Sequence, residues 1–327
     1  MKALVYDGPN QASVRDVPVP SIGPDDVLVR SHAVGICHSD FELLEGRYII
    51  GFQYPITPGH EWSGEVVEIG ADVAGFARGD RVVGECVVGP GGRDHFGFSI
   101  SGAAAELFKV RAEWLHKIPD HLSYTQAALV EPFSVAYNAT RCLGGVDPSD
   151  TVAVIGAGPI GLLSMMAAAA NNARVVAIEP DVKRRELALK LGATTALDPT
   201  SASFNDAVSD VTEGRGFEAV IEAAGAPAAM ATALEIVSLF GRVAYVGINV
   251  GSSASARLGL IQSKSLRLQG MIGSVGVWPQ TIRLMASGVV DPARIVTAAI
   301  PLEAAIDALA AARDTATNVK VHITTAP

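Results

Sequence analysis

The stretch Thr151-Val152-Ala153-Val154-Ile155-Gly156-Ala157-Gly158-Pro159-Ile160-Gly161, with Arg174-Val175-Val176-Ala177-Ile178-Glu179 behind it, decides the fold of this chain. Val152–Ile155 is a short apolar run suited to a buried strand, and Gly161–Ala170 is an apolar run of helical length. Val175–Ile178 reads as the next strand, and Lys183–Leu191 as a helix with alternating charge. The glycines between the first strand and its helix fall in Gly-x-Gly-x-x-Gly order, with Pro159 and Ile160 before the last. In that context the spacing is a dinucleotide-binding pattern. Gly156 permits a tight turn, Gly158 lets backbone approach a pyrophosphate, and Gly161 lets helix and strand pack closely. The helix N-terminus then faces the phosphates. Glu179 ends the second strand, where a carboxylate can accept both ribose hydroxyls and repel a 2′-phosphate. That favours NAD over NADP. Lys183, Arg184 and Arg185 follow closely and pull the other way; their charge-patterned helix reads as a solvated face.

Outward from this stretch the rhythm of strand and helix continues. Ala219–Glu222, Arg242–Val246 and Leu266–Gly270 read as further strands, so the region from Pro148 is an α/β, doubly wound parallel sheet. From Met1 to about Thr140 the pattern differs: short strands broken by Gly and Pro, among them Val27–Val34 and Gly64–Ile69, with few helices beyond a start near Ser39. This suits a partly open β-barrel. After Gly276 come a helix, a loop with proline, a final helix over Leu302–Arg313 and a strand over Val319–Ile323.

Bulk properties narrow the partners. Hydrophobic residues make up 49% of the 327, and the formal net charge is −9 (25 Lys and Arg, 34 Asp and Glu). With no basic block, nucleic acid and anionic membrane are unsuited partners. Three scattered cysteines, Cys37, Cys86 and Cys142, imply no disulfide framework and fit a reducing, cytoplasmic compartment. The N-terminal residues meet charge too early for a signal peptide. Thr151–Asn172 is uncharged and long, but Gly156, Gly158, Pro159 and Gly161 divide it into strand, turn and helix, which excludes a membrane span.

Four residues suit a metal: Cys37, His60, Glu61 and Glu131 offer a thiolate, an imidazole and two carboxylates, the donors zinc prefers. Singly, each has a bland reading. A lone cysteine is usually a small core residue and a lone glutamate a solvated charge. Three protein ligands with one open position would make a catalytic site.

Gly59-His60-Glu61-Trp62-Ser63-Gly64, with Gly70 and Val73 behind it, resembles the signature of zinc-containing alcohol dehydrogenases of the medium-chain dehydrogenase/reductase superfamily. The order Cys37, His60-Glu61, Glu131-Pro132, glycine turn matches as well. Glu131-Pro132-Phe133-Ser134-Val135 is similar to the sorbitol and polyol dehydrogenase branch. The resemblance implies a GroES-like catalytic barrel over 1–140, completed by 277–327, and a Rossmann cofactor domain over 141–276. It implies Cys37, His60 and Glu61 on the metal, with Glu131 either meeting the water there or replacing Glu61. Asp40 would orient the metal-bound histidine. Ser39 would relay the alcohol proton. Many members carry a histidine five residues after the metal cysteine; Glu42 stands there, so either Glu42 takes over the relay or the proton leaves another way.

His38 and Lys320 occupy positions where the family places basic groups near the pyrophosphate. Gly247-Ile248-Asn249 resembles the turn along the nicotinamide. The four-cysteine lobe of a second zinc is missing around Cys86–Gly97, so one zinc per chain is expected. The implied reaction moves a hydride between NAD and a secondary alcohol of a polyol, sugar, cyclitol or aminocyclitol. A simple alcohol or diol dehydrogenase is the alternative, and a metal-free quinone or enone reductase lies further off. The implied partners are a small polar alcohol or ketone and further copies of the chain in a homodimer or homotetramer. Arg47, Tyr48, Phe52 and Trp278 are candidate pocket residues, each with an ordinary packing or surface role as the alternative.

Overall fold

The computed structural model describes residues 1–249 and 251–325. It divides into two compact units: Met1–Glu131 with the chain from Trp278, and Pro132–Val277. The first division falls inside the helix Val130–Cys142, nine residues before the expected 140. Composition does not change there, because one helix runs through the border. The last two residues of the expected 277–327 segment lie outside the described residues.

The first unit is built on a seven-stranded sheet. Its order is Val296–Pro301, Lys320–Thr324, Asp26–Gly35, Glu61–Ile69, Arg81–Gly84 and Leu115–Lys117, with Leu107–Arg111 also paired to Asp26–Gly35. The chain's last strand thus pairs with Asp26–Gly35, with His322 opposite Gly35 and Gly35 opposite Glu61. Successive strand residues point to opposite faces. Trp62 therefore turns into the core, where its ring lies 4.6 Å from Phe108 and 5.8 Å from Phe96, while Glu61 turns the other way. Such aromatic packing anchors the start of the strand, and with it the position of Glu61.

The second unit is a six-stranded sheet, paired in parallel throughout. Its order is Thr195–Leu197, Arg174–Ile178, Thr151–Ile155, Phe217–Glu222, Val237–Tyr245 and Arg267–Gly270. The two central strands are mostly apolar and buried, as parallel strands covered on both faces are. Chain order reverses at Thr151–Ile155, the switch point where doubly wound sheets take ligands. The first helix begins at Pro159, two residues before the expected Gly161, because proline at the first helical position has its φ already set. No helix among the described residues is long and apolar enough to cross a membrane.

Candidate metal centre and nucleotide turn

Cys37 follows the strand Asp26–Gly35 and opens the helix His38–Leu44. Its backbone N–H donates to Asp40 Oδ2 at 2.8 Å, so Asp40 ties down the start of that helix. His60 and Glu61 arrive through Gly59, whose φ of +103° only glycine adopts readily. A Cβ there would also stand 2.8 Å from Val34 and 2.9 Å from the Ala104 nitrogen. One donor atom each from Cys37, His60 and Glu61 lies within 4.8 Å of the others. His60 and Glu61 are buried, and Cys37 is half-buried.

Further buried charges of this unit converge on the same place. His60 Nδ1 faces Asp40 Oδ1 at 3.5 Å, and neither buried atom has a hydrogen bond. Burial alone would lower the His60 pKa, but Asp40 and Cys37 outweigh it and hold it well above the usual range. Glu61 is gripped by Lys320, whose Nζ lies 2.6 Å from Oε1 and 2.5 Å from Oε2. Enough protein surrounds the half-buried Glu131 that desolvation pushes its carboxyl up to about 7; Glu61 and Asp40 add to the rise, and His60 and Lys320 oppose it.

These residues fit a zinc ion. The donor set is thiol, imidazole and carboxylate at mutual distances one cation can span. A cation on the other ring nitrogen would fix a proton on Nδ1 and give Asp40 Oδ1 the donor it lacks.

Cys86, Phe98 and the candidate pocket residue Tyr48 also stand at this cluster. Cys86 is half-buried, and desolvation raises its thiol despite the nearby His60. Tyr48 stacks on Phe98 with centroids 4.3 Å apart, and Phe98 lies 4.5 Å from the His60 ring. Phe98 directly follows the glycine-rich stretch Cys86–Gly97, so the end of that stretch packs on the cluster. Ser39 and Glu42 lie half-buried on the helix His38–Leu44, and no hydrogen bond joins their side chains to the cluster. His38 is exposed. Trp278 is buried and stacks on His116, Phe52 sits edge-on to Tyr54, and Arg47 pairs with Glu45 at the surface.

In the second unit the glycine turn has the geometry its spacing requires. Gly156 sits at φ +97°, and a Cβ there would stand 3.1 Å from the Ala224 nitrogen. A Cβ on Gly161 would run into the Gly156 carbonyl, so helix and turn touch through backbone. Gly158 precedes Pro159 in extended conformation, and the Arg184 guanidinium stands 4.0 Å from where its Cβ would be. Glu179 is buried, and both oxygens are already engaged. Oε2 accepts from the Ala157 N–H at 2.7 Å, and Oε1 from the Asp181 N–H at 3.0 Å.

Arg185 is not on a solvated face: its Nη1 donates to the Glu179 and Pro180 carbonyls at 2.7 and 2.6 Å and lies 3.2 Å from Asp198. Hydrogen bonds from a charged guanidinium are stronger than those between neutral groups. Lys183 is exposed as expected. On the same edge Glu222 accepts from the Ala224 and Gly225 N–H groups at 2.9 and 2.8 Å, and Asn249 donates to the Gly225 carbonyl at 2.9 Å. Ile248 beside them is exposed at 56% although apolar, and Gly247 packs against Gly225 too closely for a Cβ.

Residues 23–120 match the alcohol dehydrogenase GroES-like domain and residues 159–287 the zinc-binding dehydrogenase family. Sorbitol dehydrogenase of Bacillus subtilis is 32% identical over 329 residues, covering 94% of this chain and 92% of that protein. Alcohol dehydrogenase TADH from Thermus sp. ATN1 superposes with a TM-score of 0.90 at 31% identity, covering 100% of both chains. The 2R,3R-butanediol dehydrogenase of Bacillus subtilis gives 0.91 at 30% identity, covering 99% of each.

Proposed function

The chain belongs to the zinc-containing alcohol dehydrogenase family of medium-chain oxidoreductases, on its sorbitol and polyol dehydrogenase-like branch, and from that premise we propose that it oxidises a secondary alcohol of a polyol, sugar or cyclitol with NAD, using one zinc per chain. The observation that carries this reading is the convergence of Cys37, His60 and Glu61 within 4.8 Å. Asp40 behind His60 and the half-buried Glu131 support it. When bound, zinc supplies Lewis acidity at the alcohol oxygen and the nicotinamide accepts the hydride.

The chain's own residues do the rest. Cys37, His60 and Glu61 hold the metal, and Asp40 fixes the ring of His60. Glu131, its carboxyl raised by desolvation, can hold a proton and accept a hydrogen bond from a hydroxyl of the substrate. Ser39 relays the alcohol proton, and Glu42, three residues on along the same helix, passes it to water. Gly156, Gly158, Pro159, Ile160 and Gly161 take the diphosphate, with Arg184 leaning over the turn. Glu179 takes the adenosine ribose, and Gly247 and exposed Ile248 lie along the nicotinamide.

The edge strand Arg267–Gly270 is exposed along its length, with Leu239, Phe240 and Leu258 exposed nearby. An unpaired edge beside apolar side chains suits pairing with a second copy, so we assign the chain a homodimer or homotetramer. Three free cysteines suit a cytoplasmic setting.

One observation favours a second reading. The Tyr48–Phe98 stack gives the centre an apolar wall that a small diol would fill. The test is elemental analysis combined with rates on polyols, cyclitols, diols and simple alcohols, each with NAD and NADP. One zinc and a preference for polyols with NAD are expected. A chain without zinc, or one preferring primary alcohols, would overturn the reading.

A further inference from the structure

Lys320 lies on the chain's last strand, next to strand Asp26–Gly35, and is only 3% exposed. Besides both oxygens of Glu61, its Nζ reaches the Ile36 carbonyl at 3.1 Å. Ile36 immediately precedes Cys37. The ammonium therefore ties the segment of one metal-site residue to the carboxylate of another. The far side of that carboxylate is moulded too: a Cβ on Gly35 would overlap Glu61 Oε2. His322, two residues along the same strand, is fully buried and held neutral by desolvation and by Lys320 itself. No second positive charge therefore comes from that strand.

We propose that Lys320 is a built-in counter-cation of the metal centre: it holds Glu61 in ligand position before a metal arrives and, through its charge, sets how tightly the metal is then held. The inference rests on the reading that Cys37, His60 and Glu61 hold zinc. A buried carboxylate with no cation is costly, and the ammonium offsets part of that cost in the metal-free chain. The barrel unit then folds with Glu61 already placed. When a divalent cation takes the same carboxylate, two positive centres share it. Lys320 is enclosed on the strand and stays, and its repulsion weakens metal binding.

The test compares zinc affinity in the whole chain, measured by competition with a chromophoric chelator, for wild type, Lys320→Arg, Lys320→Gln and Lys320→Met. The Gln and Met variants should bind zinc at least about tenfold more tightly, because a nearby positive charge has gone, and the Arg variant should stay near wild type. Zinc-free Lys320→Met should melt lower than zinc-free wild type, and zinc should raise its melting temperature by more. If the Met variant does not fold, the Gln variant carries the test, since its amide can still donate to Glu61 and Ile36. Gln and Met variants that bind zinc no more tightly than wild type would sink the proposal alone. A wild type that takes up no zinc would sink the metal-centre reading and this proposal with it.

Discussion

The glycine turn of the α/β unit is written in consecutive residues 151–161, whereas the charged cluster of the barrel unit draws on Cys37, Asp40, His60, Glu61, Glu131 and Lys320. The turn is made by backbone: φ values, close approaches and N–H groups gathered by Glu179 and Glu222. The cluster is made by side chains that carry charge out of water and survive there only by facing one another. A backbone site tolerates neighbours but not a Cβ in the wrong place. A site of buried charges depends instead on which members remain to face one another.

The largest break should therefore come from the barrel unit. Cys37→Ser should lose zinc and lower kcat/KM by about a thousandfold or more, since a Lewis acid supplies several kcal/mol of transition-state stabilisation. Zinc analysis and steady-state rates check it together. A variant that keeps full activity without zinc would show that the cluster is structural.

Glu131 separates holding the metal from acting beside it. Glu131→Ala should keep its zinc but lower kcat and kcat/KM together by about a hundredfold on a vicinal polyol, as expected for a lost proton-transfer group. Loss of zinc in this variant would instead make Glu131 a required ligand.

How much of each site the sequence reveals follows from the same contrast. Gly156, Gly158 and Gly161 are legible because spacing and local strand–turn–helix context dictate their roles. Even there the side chain of Arg185 folds back onto two carbonyls, which no periodicity marks. Cys37, His60 and Glu61 are legible only through family resemblance, because their meeting depends on Gly35 lying opposite Glu61 across two strands. The Lys320–Glu61 pair needs one more register, His322 opposite Gly35, joining segments 259 residues apart. His322 itself reads as a polar strand residue, yet it is fully buried with neither ring nitrogen hydrogen-bonded.

That histidine gives the barrel unit a pH dependence. Burial, with Lys320 adding to it, pushes His322 down to about 3 from an ordinary value of 6.5. The folded chain keeps it neutral while the unfolded chain protonates it below about 6.5. Its stabilising contribution is therefore full above that pH and is lost as pH falls toward about 3. The slope approaches about 1.4 kcal/mol per pH unit within this window. His322→Leu should flatten the decline in melting temperature between pH 7 and pH 5. An unchanged slope would place the acid sensitivity elsewhere.

The smallest effect belongs to Glu179, and it tests whether the α/β site is backbone alone. Its oxygens bind the Ala157 and Asp181 N–H groups in the absence of any nucleotide, so its first role is to join the two turns. A carboxylate oxygen has a second lone pair, which leaves room for a ribose hydroxyl. Glu179→Ala should thus do two things. Stability should fall by about 1–3 kcal/mol, because buried donors lose their acceptor. The ratio of kcat/KM for NADP to that for NAD should rise about tenfold, because the repulsion of a 2′-phosphate ends. Glu179→Gln separates the two, since its amide oxygen still serves one N–H but its charge is gone. A Gln variant that shifts toward NADP while nearly keeping its melting temperature assigns selectivity to the charge. If both variants melt lower and the NADP-to-NAD ratio stays that of wild type, Glu179 only staples the turns, and cofactor choice lies with Arg184 and its neighbours.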